Sequence, residues 1–142
     1  MDPYNILIVD DETGNLNALE RTFRREYNVF SATNGEDALS IIEQNDIALI
    51  VSDHCMPGMS GVEFLEKTRQ KHPNIIRIIL TAYTDEKMLA EAINKGHVYS
   101  FISKPWDPMY IKALVRKAIE TRETAYGLRE CSCMQGEYVS AE

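Results

Sequence analysis

The chain has 142 residues, a length typical of one domain, and its 44% hydrophobic and 26% charged residues are those of an ordinary globular protein. Its formal net charge of −7 argues against a nucleic-acid-binding surface, which would need clustered lysine and arginine side chains. Because no apolar run could cross a bilayer and the first residues lack the pattern of a signal peptide, we expect a cytoplasmic protein that does not bind membranes.

Five short segments of the chain read as strands. The third is an apolar run rich in β-branched residues, which is typical of a strand buried on both faces. The second is shorter and alternates only weakly between apolar and polar residues. The predicted strands cover residues 6–9, 27–32, 47–52, 75–80 and 100–103.

Five helices are predicted between and after these strands. The first begins at Gly14 and Asn15, and Asn34 is the expected N-cap of the second. Asp107 followed by Pro108 gives an N-cap and a proline at the first helical position, which is a strong start for the fifth helix. The third predicted helix covers residues 62–71, and the fourth runs from residue 84 or 85 to residue 94.

The alternation of strands and helices indicates the fold class. Each strand and helix together take roughly 20 to 25 residues, as in βαβ crossovers. Right-handed crossovers with helices on both faces give a doubly wound sheet. We therefore predict a single flavodoxin-like α/β domain with a five-stranded parallel sheet in the order 2-1-3-4-5. Since neither the dinucleotide-binding nor the P-loop glycine pattern is present, the chemistry must come from side chains at the strand ends.

Charged and hydroxyl side chains follow four of the predicted strands. Asp10 and Asp11 follow the first strand, Asp53 the third, Thr81 ends the fourth, and Lys104 follows the fifth. Ligands of open parallel sheets bind at this carboxyl edge. Each residue alone has a plain structural explanation, as a turn residue, a cap or a solvated strand end. Their joint occurrence at four strand ends is hard to explain by chance and favours a functional site.

These residue types point to phosphoryl chemistry. In the predicted strand order the first and third strands are neighbours, so three carboxylates share one crevice. Their mutual repulsion would raise their pKa values unless a cation lies between them. Mg²⁺ suits such a site because it prefers oxygen ligands and often shares a phosphate oxygen. Lys104 and the Thr81 hydroxyl would face phosphoryl oxygens, and a carboxylate nucleophile beside them supports formation of an aspartyl phosphate.

Four short motifs carry a resemblance to a known family. They are Asp10-Asp11-Glu12, Asp53 with Met56-Pro57 and Gly61, Thr81-Ala82, and Lys104-Pro105. In this combination they are highly specific, and the chain resembles a response-regulator receiver domain, the phospho-acceptor domain of two-component signal transduction. The resemblance covers the chain from Asn5 to about Thr121.

The resemblance implies the roles of the acidic residues. Asp53 is the expected phosphorylation site, which takes its phosphoryl group from a sensor histidine kinase or a phosphotransfer protein. Asp11, Asp53 and the backbone carbonyl of Cys55 are the expected direct Mg²⁺ ligands, while Asp10 helps through a water molecule. By the same resemblance the domain is a signalling module and not an enzyme, since it catalyses only its own phosphorylation and dephosphorylation.

The resemblance also implies a switch. Thr81 and Lys104 would hold the phosphoryl group, and Phe101 is similar to the switch aromatic residue of the family. Movement of Thr81 toward the new oxyanion would open a space into which Phe101 rotates. The surface made by the fourth helix, fifth strand and fifth helix of this prediction would then change shape and control an output domain or a partner.

Three other functions fit the sequence less well. A phosphatase of the haloacid dehalogenase type would need an Asp-x-Asp motif after the first strand and usually a cap domain. A receiver-like binding module that works without phosphorylation would be expected to lack an acidic position or the lysine. A flavodoxin would need a phosphate-binding loop after the first strand, where this chain has acidic side chains.

We assign residues 1–121 to the receiver domain and residues 122–142 to a helical extension and tail. We expect the extension to be the start of a signalling helix that leads to an output domain, or to be part of a homodimer contact through helices four and five. The alternative is a frayed helix end that is exposed to solvent. The tail from Gly127, with Cys131 and Cys133, should be poorly ordered in isolation, and an odd number of cysteines does not indicate a disulfide framework. A thin heptad seam is formed by Ile111, Leu114, Ala118, Thr121, Ala125 and Leu128.

Overall fold

The computed structural model describes residues 3–54, 56–81, 90, 94 and 98–127, the last five of them by their backbone alone. The strands are β1 (Asn5–Val9), β2 (Asn28–Ala32), β3 (Leu49–Asp53), β4 (Ile76–Thr81) and β5 (Ser100–Ser103). The helices are α1 (Thr13–Phe23), α2 (Gly35–Gln44), α3 (Gly61–Lys71) and α4 (Pro108–Gly127).

The helix predicted between β4 and β5 lies outside the described residues, apart from Ala90 and Asn94, which are helical. The predicted fifth helix is therefore α4. In the described part of the chain, no helix combines the length and the apolar character that a membrane span requires.

The five strands form one parallel sheet in the order β2-β1-β3-β4-β5. The register places Ile6 beside Leu49 and Asp53 beside Leu80, so β1 and β4 flank β3 at the centre of the sheet. This confirms the predicted fold class and strand order. It also brings the ends of β1, β3, β4 and β5 to one edge.

Side chains of β1 alternate between two hydrophobic layers. Ile6 and Ile8 pack in the cluster that includes buried residues of α1 and α4, whereas Leu7 and Val9 pack with α2 and α3. All four side chains are buried, since a sheet covered by helices on both faces has no solvated side. Burial on both faces is why β1 and β3 appear in the sequence as continuous apolar runs.

Local capping fixes where the helices begin. Asn34 caps α2 by accepting a hydrogen bond from the Asp37 amide, as predicted. Ser60 and Glu63 form a capping box at the start of α3. The Asp107 side chain accepts a hydrogen bond from the Met109 amide at 3.1 Å, which supports its predicted place at the start of α4.

Gly61 brings the start of α3 against the end of β3. Its amide donates to the His54 carbonyl at 2.8 Å, and a Cβ at this position would collide with the Asp53 carbonyl oxygen and lie 2.9 Å from the His54 Cα. The obstacle is backbone, which cannot move aside as a side chain would. The glycine therefore fixes the distance between α3 and the strand that ends in Asp53.

We expect Gly61→Ala to lower the free energy of unfolding by about 2–3 kcal/mol, because it overpacks this backbone contact. Gly14→Ala is the matched control, since nothing lies within 4 Å of a Cβ at Gly14 in α1. That change should stabilise the helix by about 0.5–1 kcal/mol. Urea unfolding measures both, and equal effects of the two substitutions would contradict the close approach at Gly61.

Candidate functional site

The site lies at the carboxyl edge of the sheet. Asp10 follows β1 directly, Asp53 is the last residue of β3, Thr81 is the last residue of β4, and Lys104 follows β5. Parallel strands deliver these residues to the same edge, which is where open α/β sheets bind their ligands. All four residues thus lie at the strand ends where the sequence analysis expects them.

Three carboxylates meet at this edge. Asp10, Asp11 and Asp53 each offer an oxygen, and these oxygens all lie within 4.8 Å of one another. Asp10 and Asp53 are buried, at 1% and 5% exposure, whereas Asp11 is exposed. The cluster therefore has two buried carboxylates and one side that is open to solvent.

Lys104 is the cation that faces the buried carboxylates. Its Nζ lies 2.6 Å from Asp53 Oδ1 and 3.4 Å from Asp10 Oδ2. The Lys104 amide also donates to the Thr81 carbonyl at 2.8 Å, which ties the chain after β5 to the end of β4. One ammonium group therefore holds two carboxylates, and the site keeps an excess of negative charge.

Burial raises the pKa of the Asp53 carboxyl above its ordinary value, and the charges of Asp10 and Asp11 also raise it. Together these effects outweigh the hydrogen bond and the charge of Lys104, which lower the pKa. Burial alone would lower the pKa of Lys104, but its hydrogen bond to Asp53 and the charges of Asp10 and Asp53 outweigh burial and raise it. The site thus disfavours charge on Asp53 and favours charge on Lys104.

This shift predicts a pH-dependent stability. A carboxyl whose pKa is raised in the folded state stabilises the fold at low pH and loses that contribution as the pH rises through the raised pKa. Without Mg²⁺ at pH 7, Asp53→Asn should therefore raise the melting temperature, by roughly 2–6 °C. The advantage should shrink as the pH falls through the raised pKa toward the ordinary value of 3.8.

Calorimetric melting from pH 4 to pH 8 measures this difference. Asp46→Asn is the control, because Asp46 is an exposed carboxylate that precedes β3 at the opposite edge of the sheet. A lower melting temperature for Asp53→Asn at pH 7 would contradict the prediction, since it would mean that the contact with Lys104 outweighs the cost of burying the charge.

Some of the remaining predicted site residues are described by the structure, and others are not. Thr81 is buried at 1% exposure, and Phe101 on β5 is exposed at 39% and lies beside Ile79 of β4. Cys55, whose carbonyl was the expected metal ligand, lies outside the described residues, as does Ala82 of the Thr81-Ala82 motif.

One residue at the site was missed by the sequence analysis. Asn15 in the first turn of α1 donates to Asp10 Oδ2 at 3.2 Å and to Glu12 Oε1 at 2.8 Å. From the sequence, this asparagine is expected only at the start of a helix. The sequence offered one indication of this contact, since Asn15 follows Asp10 by five residues. At that spacing, a side chain in the first turn of the helix can lie back beside the end of the strand.

The donor set fits Mg²⁺. Three carboxylates supply the hard oxygen ligands that this ion prefers, and the exposed Asp11 leaves room for the water molecules it keeps. Among the described residues, Lys104 is the one lysine that contacts these carboxylates, so a divalent cation would relieve the remaining repulsion.

Comparison with known proteins agrees with this geometry. Residues 6–116 match the family model described as the response regulator receiver domain. The hydrogenase transcriptional regulatory protein HoxA of Cupriavidus necator is 36% identical over 82% of this chain and 24% of its own length. The sporulation initiation phosphotransferase F of Bacillus subtilis is 38% identical over 79% of this chain and 90% of its own length.

A solved structure gives the same result. The signal receiver domain of an HD domain-containing protein from Pseudomonas fluorescens Pf-5 superposes with a TM-score of 0.85 at 30% identity, covering 89% of this chain and 94% of that one. The chain spans about a quarter of the length of HoxA, at 24%. The family match, the relatives, the strand order and the acidic site with its lysine lead to one conclusion: the chain belongs to the response regulator receiver domain family.

Proposed function

We propose that this domain accepts a phosphoryl group on Asp53 from a sensor histidine kinase or a phosphotransfer protein, with Mg²⁺ bound at the site. The observation that carries the proposal is the buried Asp53 carboxylate, held by Lys104 at 2.6 Å and joined by two further carboxylates. A carboxylate nucleophile beside a lysine and a magnesium site has the parts that phosphoryl transfer to an aspartate needs.

Asp11 and Asp53 would hold Mg²⁺ directly, with the Cys55 carbonyl, and Asp10 would hold it through water. The bound ion would neutralise charge on the transferring phosphoryl group. Asp10 is fixed for this role, because its Oδ1 accepts a hydrogen bond from the Glu12 amide at 2.9 Å.

In the transfer step, an oxygen of Asp53 forms a bond to phosphorus while the bond from phosphorus to the donor's leaving atom breaks. The leaving group takes the electron pair, and Asp53 becomes an acyl phosphate. Lys104 Nζ, which contacts Asp53 Oδ1 at 2.6 Å, turns to a phosphoryl oxygen, so its charge follows the new anion. Because the domain would transfer the phosphoryl group only to itself, we propose that it acts as a signalling module.

Incubation with acetyl phosphate and Mg²⁺ tests this function. Intact mass should rise by one phosphoryl group per chain, and peptide mapping should place the group on the segment that contains Asp53. Omission of Mg²⁺ should reduce the product to background. A chain that gains no mass at millimolar acetyl phosphate with Mg²⁺ would overturn the proposal.

We further propose that Thr81 and Phe101 pass the change on. Thr81 ends β4 next to the site, and Phe101 is two residues before the end of β5, on the strand that β4 pairs with. A phosphoryl oxygen that draws the Thr81 hydroxyl toward it would leave space beside β4. Phe101, which is exposed at 39%, would turn into such a space.

Thr81→Ala should therefore be phosphorylated to an extent within about twofold of the wild type and yet lose the phosphorylation-dependent change in self-association or partner binding. Thr33→Ala is a matched control, because Thr33 is an exposed threonine that follows β2 at the same edge of the sheet. Light scattering with and without acetyl phosphate compares the three proteins. Equal association in Thr81→Ala and wild type would show that the signal takes another route.

The surface formed by β5 and the start of α4 is the proposed output or homodimer contact. Phe101, Met109 and Tyr110 lie there with 39%, 77% and 54% of their surface exposed. Large, exposed apolar side chains favour contact with a protein partner. The predicted fourth helix, which completes this surface in the prediction, lies outside the described residues.

We place the end of the receiver domain near residue 121 from the contacts of α4. Its Ile111, Val115, Ala118 and Ile119 are buried in the core. Arg122 Nε still donates to the Asn74 carbonyl at 3.3 Å, so the contacts of the domain reach one residue past the predicted boundary. The helix continues to Gly127. Because Ile111 and Ala118 are fully buried inside the domain, these two positions of the proposed heptad seam cannot contact a second helix.

A further inference from the structure

We propose that Asn15 is a positioning residue of the phosphorylation site, which holds the Asp10 carboxylate in the orientation that Mg²⁺ binding requires. The inference rests on the proposed function, because it concerns the same site. It adds a residue that supplies neither a metal ligand nor a contact to the phosphoryl group.

The Asn15 amide lies between two carboxylates. Its Nδ2 is 3.2 Å from Asp10 Oδ2 and 2.8 Å from Glu12 Oε1, so both of its N–H groups are used. The opposite orientation of the amide would place its oxygen against two anions. An aspartate here would add a further negative charge, and a leucine would donate nothing. The position therefore needs a neutral side chain with two donors.

Asp10 is held from both of its oxygens. Oδ1 accepts the Glu12 amide at 2.9 Å, and Oδ2 accepts Asn15 at 3.2 Å and Lys104 at 3.4 Å. A carboxylate has about four acceptor positions, so three are occupied and about one remains, on Oδ1. Because Asp10 is only 1% exposed, solvent cannot replace a lost donor easily.

Lys104 cannot keep this arrangement during the reaction. In the proposed transfer it turns to a phosphoryl oxygen and lengthens its contact with Asp10. Asn15 and the Glu12 amide are then the donors that still fix the carboxylate, one at each oxygen. Groups that orient a metal-binding carboxylate without touching the metal are known to set metal affinity.

The test compares Asn15→Ala and Asn15→Leu with the wild type and with Asn17→Ala, an exposed asparagine two positions along the same helix. Mg²⁺ titration by calorimetry should give a dissociation constant raised by on the order of 10-fold in both Asn15 variants and unchanged in Asn17→Ala. At saturating Mg²⁺, the rate of phosphorylation by acetyl phosphate should return to within about threefold of the wild type.

This split between affinity and rate separates positioning from a structural role, because a misfolded variant would lose rate at every Mg²⁺ concentration. Unchanged Mg²⁺ affinity in both Asn15 variants, with a wild type that binds Mg²⁺ and is phosphorylated, would overturn the inference and leave the proposed function intact. A rate that stays low at saturating Mg²⁺ would overturn it as well. A wild type that takes up no phosphoryl group would refute the proposed function first, and the inference with it.

Discussion

Asp53→Asn should abolish phosphoryl uptake from acetyl phosphate in the presence of Mg²⁺. The substitution keeps the size of the side chain and removes the anionic oxygen that attacks phosphorus. Asp10 does not substitute for it, because three donors already occupy its oxygens. Asp11 is exposed but follows Asp10 in the loop, and Lys104 contacts Asp53 and not Asp11.

The measurement is intact mass after a fixed time with the phosphodonor. Asp46→Asn is the matched control, since it makes the same chemical change before β3, at the opposite edge of the sheet. It should be phosphorylated like the wild type. Melting curves of both variants show whether the fold is kept. A phosphoryl group that persists in Asp53→Asn and maps to another residue would contradict the assignment.

The centre of the sheet could be predicted from the sequence because β1 and β3 are buried on both faces. In a continuous apolar run such as Ile6 to Val9, alternate side chains pack into the hydrophobic layers on the two faces of the sheet. Such a run therefore predicts a central strand. The ends of the strands were predicted less accurately. The prediction began the third strand at Ile47, whereas β3 begins at Leu49, because Ile47 and Ala48 are already buried before the strand starts. Hydrophobicity reports burial and not strand pairing.

The convergence of Asp10, Asp53 and Lys104 was also predictable, because in a parallel sheet chain order and strand ends determine which residues meet. The role of Asn15 was not, since it depends on the first turn of α1 and on how Asp10 turns toward it. The close approach of Gly61 likewise depends on the distance between two backbones.

The periodicity of apolar residues could not decide whether α4 packs on its own domain or on a second helix. Ile111 and Ala118 fit a heptad seam and also fit the inner face of a helix on a sheet, because both arrangements repeat about every seven residues. Their complete burial in the domain core shows which of the two applies to this part of the helix. Only the packing partners, which the sequence does not name, distinguish a core helix from a dimer helix.

Mg²⁺ should bind the wild type, and Asp11→Ala should raise the dissociation constant by on the order of 10- to 100-fold. The oxygens of Asp10, Asp11 and Asp53 lie within 4.8 Å of one another, so each carboxylate repels the other two and attracts a dication. Asp11 is the exposed member, and removing it leaves the buried pair with Lys104 in place. The metal-free fold should therefore be largely preserved.

Trp106 is a convenient reporter for this titration. It lies two residues after Lys104 and packs partly buried against the core cluster that includes Ile102 of β5, so a change in the Lys104 contacts can alter its fluorescence. Mg²⁺ should also raise the melting temperature of the wild type by mass action, and much less so that of Asp11→Ala. Asp46→Ala, which removes an exposed carboxylate far from the site, should match the wild type in both measurements. If Asp11→Ala binds Mg²⁺ as tightly as the wild type, the acidic cluster does not hold the ion through Asp11, and the proposed ligand set is wrong.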